Sequence, residues 1–80
     1  MQSSALKPLT EKYSLAQLQQ AEEQLLEGIK PDIEIEGSDE GEQLTHVSAA
    51  IWILEDMNKN GVDFRTSLRN FMSKVRNSIS

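Results

Sequence analysis

Eighty residues carrying thirteen acids against eight bases give a net charge of −5, enough chain for one domain around one modest core. With no cysteine there is no disulfide and no thiolate nucleophile or metal ligand. The longest apolar run, Ala49 to Leu54, is far short of the roughly 18 residues of a membrane span. Met1 to Pro8 has one lysine and no apolar run, so no signal peptide is read there. A soluble, cytoplasmic protein is expected.

Taken in chain order, Pro8 suits the first turn of a short helical segment reaching Tyr13. Ser14 with Gln17 reads as a capping box opening a helix that runs to Glu27. Gly28 fits its C′ position, Ile29 the apolar residue of a Schellman turn, and Pro31 prevents resumption. Leu15, Leu18, Leu25 and Leu26 share a face of this helix, with Glu22 in its midst. A carboxylate there should pair with a base of the last helix or sit at a wet edge.

Asp32 to Gly37 alternates polar and apolar, which predicts an extended linker whose Ile33 and Ile35 cover the core. Ser38 then caps a long helix, with Asp39, Glu40 and Glu42 set favourably against its dipole. Its broad stripe of Leu44, Val47, Ala50, Ile51, Ile53, Leu54 and Met57 marks it as the centre of the core. Trp52 falls on the opposite half, with Thr45, Ser48, Ala49, Glu55 and Asp56. Asn60-Gly61 ends this helix and Asp63 caps the last, which buries Phe64, Leu68, Phe71, Met72, Val75 and Ile79. The expected fold is all-α: a compact three-helix domain with a short N-terminal helical segment and an acidic extended linker between its first two long helices. The helices fall at about 8–13, 15–27, 39–59 and 64–77.

Charge is segregated along the chain. Asp32, Glu34, Glu36, Asp39, Glu40 and Glu42 stand in a stretch without a base, and Arg65, Arg69, Lys74 and Arg76 in one without an acid. Arg65, Arg69 and Arg76 form one stripe beside the buried face, which superficially resembles the recognition helix of a helix-turn-helix. A solvated face, or intramolecular pairing with the acidic middle, accounts for the same pattern. Asp56-Met57-Asn58-Lys59-Asn60-Gly61 matches the first half of an EF-hand loop, but Ser67 stands where the bidentate glutamate belongs. His46 is the lone histidine, expected at the core boundary on a neighbouring hydrogen-bond partner; one histidine excludes a two-histidine metal site. The four glycines stand singly at helix ends and turns, so there is no phosphate loop. No metal ligand set, cofactor motif or catalytic constellation is visible.

Tyr13-Ser14-Leu15, Gln17-Leu18, Ala21-Glu22-Glu23, Glu36-Gly37, Glu40 to Val47, Ala49 to Leu54 and Val75 to Ser80 together resemble a family of small uncharacterised bacterial proteins. The resemblance covers nearly the whole chain and implies a complete natural protein. It brings no activity, cofactor or site, because that family is a domain of unknown function. The expectation is therefore a non-enzymatic interaction or assembly module, self-associating as a homodimer through Trp52. Nucleic-acid binding by Arg65, Arg69 and Arg76 is the alternative, and a small ion-binding regulator using Asp56 the third reading.

Overall fold

A computed structural model describes residues 3–79, with side-chain surroundings for residues 4–77. It is all-helical: a 3₁₀ turn at Ser3–Ala5 leads into α1 (Leu6–Lys12), followed by α2 (Leu15–Leu26), α3 (Glu40–Asn60) and α4 (Phe64–Ile79). No helix is long and apolar enough to cross a membrane among these residues.

The helix ends follow local chemistry. α1 begins two residues before Pro8, which therefore sits inside the first turn, where its missing N–H would have had no intrahelical partner. Ser14 caps α2 through the expected box: its Oγ accepts the Gln17 N–H (3.2 Å) and Gln17 Oε1 accepts the Ser14 N–H (2.9 Å). At the far end Ile29 N–H donates to Gln24 O (2.8 Å) and Gly28 N–H to Leu25 O (3.1 Å), the two bonds of a Schellman motif. The cap of α3 is Asp39, not Ser38: Asp39 Oδ1 accepts the Glu42 N–H at 2.8 Å. A carboxylate is the stronger acceptor for a helix-start amide, and the Ser38 hydroxyl instead donates to Glu42 Oε2. Gly61 closes α3 at φ +64, its N–H donating to Met57 O. Open space surrounds the position a Cβ would take there, so only the backbone resists substitution. Gly61→Val should lower the unfolding free energy by about 1–2 kcal/mol, read as a shifted urea midpoint at unchanged slope. An unmoved midpoint would mean that α3 ends elsewhere.

α3 is the spine, and the others pack on it from two sides. At 1.5 Å per residue its 21 residues span about 31 Å, matching the longest dimension of the molecule, 31 Å. On one side Val47 and Ala50 meet Leu18, Ala21 and Leu25 of α2, Leu9 of α1 and Ile35 of the linker. On the other, Ala49 and Ile53 meet Leu6, with Trp52, Met57, Phe64, Leu68 and Phe71 half-buried around them. Trp52 does lie on the half of α3 away from Val47 and Ala50, and that half is covered as well. Ala49 is buried and α4 seats on that half, because α1 and α2 already occupy the Val47–Ala50 side. Leu26, expected in the buried stripe of α2, is 68% exposed, and Ala21 takes its place in the core. Glu22 stands at a wet edge, its carboxylate accepting the Ser48 hydroxyl of α3 at 2.7 Å. Ile79 is helical, but its side chain lies outside the described residues.

Between α2 and α3, exposure alternates as in an extended chain: Asp32, Glu34 and Glu36 face solvent, Ile33 is half-buried and Ile35 buried. Three helix side chains and Tyr13, at the end of α1, satisfy the backbone that a neighbouring strand would otherwise pair. Gln24 Oε1 accepts the Asp32 N–H while its Nε2 donates to the Asp32 carboxylate. Tyr13 Oη accepts the Glu34 N–H, Gln43 Nε2 donates to Ile35 O, and His46 Nδ1 bonds Glu36 O at 2.6 Å. A carbonyl only accepts, so that ring nitrogen carries the proton. His46 is fully buried rather than at a boundary, on the partner type expected.

Candidate interaction surface

In α4 an advance of about 100° per residue sets Phe64, Ser67, Leu68, Phe71 and Val75 toward α3. Ser67 is the only fully buried member among the described residues; the apolar ones are all half-buried. Its Oγ donates to Ile53 O across the two helices at 3.0 Å. A serine within the apolar stripe, three residues after Phe64 and four before Phe71, was the available sign of a close helix crossing. Sequence reasoning weighed it only as a missing calcium ligand.

Trp52 anchors the same interface. Its ring lies 5.6 Å from that of Phe71 at 54°, and Lys74 Nζ sits 6.0 Å from its centroid, a cation–π arrangement. The uncovered edge of Trp52 lines a shallow groove of about 340 Å³ with Glu55, Asp56, Lys59 and Asn60.

The EF-hand-like segment is not a loop. Asp56 through Asn60 are helical, which turns Asn58 about 200° away from Asp56 and prevents their oxygens from converging. Asp56 is engaged instead by Asn60 and Asn70, whose side-chain amides donate to its two oxygens. These bonds, Asn60 first, hold its carboxyl below the usual range. Asp63, capping α4 through Thr66, is likewise lowered, by the Thr66 side chain first and then its N–H, with Arg65 adding attraction. No three His, Cys, Asp or Glu residues gather as a metal cluster among the described residues.

Both depressed carboxyls carry a pH signature. Above 3.8 the carboxylates are ionised folded and unfolded alike, and their stabilisation is present in full. As pH falls through 3.8 and then through the lower folded values, the unfolded chain takes protons first and that contribution is lost. Denaturation midpoints should therefore fall on acidification, and Asp63→Asn, which keeps a capping oxygen, should flatten the fall. An equally steep fall in the variant would remove Asp63 from the account.

The outer face of α4 carries Arg65, Arg69, Met72 and Arg76, separated by 4, 3 and 4 residues and all exposed, Met72 by 43%. The three arginines form no salt bridge among the described residues, where the one ion pair is Lys7–Glu11 at 3.8 Å. Pairing with the acidic middle of the same chain, a possible explanation of the charge pattern, is thus not made there. The structure sets Trp52 and the arginines on opposite flanks of α4, so they do not form one patch. The chain belongs to the family of unknown function DUF6952, which matches it over residues 1–80. No curated protein and no solved structure matches it significantly.

Proposed function

We propose that this protein is a non-enzymatic protein–protein interaction or assembly module whose contact surface is the arginine face of α4. One observation carries the reading: Arg65, Arg69 and Arg76 surround an exposed methionine and form no salt bridge with a carboxylate among the described residues. Arginine and methionine are enriched at protein interfaces, where guanidiniums bind carboxylates in a planar fork. In this reading the chain is a three-helix domain with a short N-terminal helix, and α1 to α3 are a rigid frame for α4. Trp52 seats that helix and offers its free edge as a secondary contact. A cytoplasmic setting fits the lack of cysteine.

The same exposed arginines support a second reading, docking on nucleic-acid phosphates with α4 as the contact helix. A photo-crosslinking amino acid in place of Met72, introduced in the native host, separates the two. Discrete adducts that resist nuclease and yield to protease are expected. Nuclease-sensitive adducts would promote the second reading, and the absence of any adduct would remove both.

A further inference from the structure

We infer that the partner of the arginine face is a second copy of this chain, which presents the acidic ridge Asp32, Glu34 and Glu36 to it. The inference rests on α4 being a protein-contact surface and names what occupies it.

The first argument is complementarity of charge with matching pitch. Along α4, Arg65 and Arg69 are separated by about 6 Å of helix rise, Arg69 and Met72 by about 4.5 Å, and Met72 and Arg76 by about 6 Å. Along an extended chain, side chains on one face repeat every about 6.6–6.8 Å. Glu34 and Glu36 are such a pair, both exposed while Ile33 and Ile35 turn inward; the chain bends at Asp32 and Ile33, so Asp32 stands at the end of the ridge. Laid beside α4, Glu34 and Glu36 come opposite Arg65 and Arg69 with a mismatch of about 1 Å, well within the reach of an arginine side chain.

The second argument is preorganisation. Gln24, Tyr13, Gln43 and His46 hold the ridge backbone at Asp32, Glu34, Ile35 and Glu36. Gly37, just beyond, lies so close to Gln43 that a Cβ would stand 2.8 Å from its Cγ. The strip opposite is on a regular helix. Neither backbone needs ordering on contact, so the entropic cost is confined to rigid-body freedom and to the side chains themselves.

The third argument is that neither surface forms a salt bridge at home among the described residues. Glu34 and Glu36 form no salt bridge among the described residues, and neither do the three arginines. Because each copy carries both surfaces, reciprocal exchange closes a twofold dimer.

The test is sedimentation equilibrium of the full chain at about 20 mM and about 500 mM salt, where screening lengths differ several-fold. The wild type should associate at low salt and at least ten-fold more weakly at high salt. Two charge-reversed variants follow: Arg65→Glu/Arg69→Glu in the strip, and Glu34→Lys/Glu36→Lys in the ridge. Each alone should be monomeric, and an equimolar mixture should associate again, since every reversed surface then meets its complement. Circular-dichroism melts check that both variants fold. If either does not, the neutral Arg65→Gln/Arg69→Gln chain replaces it and should associate at least ten-fold more weakly than wild type. A wild type that stays monomeric at low salt overturns the inference, as does a folded mixture that fails to associate. Protein adducts at Met72 with a monomeric purified chain would keep the interaction module and discard the second copy as its partner.

Discussion

Trp52→Ala should lower the unfolding free energy by about 3 kcal/mol, the low end for truncating a large aromatic side chain, because Trp52 is half-buried rather than sealed. The loss combines the apolar area shared with Leu6, Ala49 and Ile53, the ring contact with Phe71 and the seat of the Lys74 ammonium. In a domain of this size that corresponds to a melting-temperature drop on the order of 15 °C. The damage should also be local. α3 is the main neighbour of α4, so hydrogen exchange should show α4 amides losing protection before those of α2. Trp52→Phe, which keeps an aromatic partner for Phe71, should recover most of the loss. A drop under about 5 °C, or uniform loss of protection, would mean that α4 is not seated on this residue.

Gly37→Ala should cost about 2 kcal/mol, within the range for a backbone forced into a region that L side chains avoid. Gly37 has φ +153, and a Cβ there would meet Gln43 Cγ at 2.8 Å and the Gln43 backbone N at 3.0 Å. Gln43 cannot swing aside cheaply, since its amide donates to Ile35 O one step along the linker. The expected result is a lower denaturation midpoint and faster exchange of the His46 Nδ1 proton, which is held on Glu36 O. An unchanged midpoint with a slowly exchanging imidazole proton would show that the linker passes α3 with room to spare. The two losses should add, because Trp52 packs with Ala49 and Ile53 while Gly37 abuts Gln43, whose amide holds Ile35 of the other cluster.

Much of the all-α outline is legible in the residues themselves. Ser14 with Gln17, the Gly28–Ile29 pair, Gly61 and Asp63 each place a helix end where the structure has one. Capping chemistry acts within three or four residues, so its whole cause is written locally. The same holds for the alternation at Ile33 and Ile35, and for the cationic stripe of α4, whose spacing needs only the helical period. Where two acceptors stood side by side, as at Ser38 and Asp39, the end was legible only to one residue.

Which face meets which neighbour was decided by tertiary structure. Local periodicity assigns α3 one buried half, yet both its Val47–Ala50 side and its Ala49–Ile53 side are covered. α1 and α2 fill the first, and the two-residue-longer reach of α1 brings Leu6 under the second. Leu26 lost its core place to Ala21 because docking on α3 turns Leu18, Ala21 and Leu25 inward, which sets Leu26 about 100° beyond Leu25 and off the buried face. The buried pairings of His46 with Glu36 and Ser67 with Ile53 join residues 10 and 14 positions apart through backbone carbonyls, which carry no residue identity for a sequence pattern to read. Helix existence and helix ends are set by short-range forces and so are written along the chain. Packing partners are set by the shape left over once the other elements have docked, and that exists only in three dimensions.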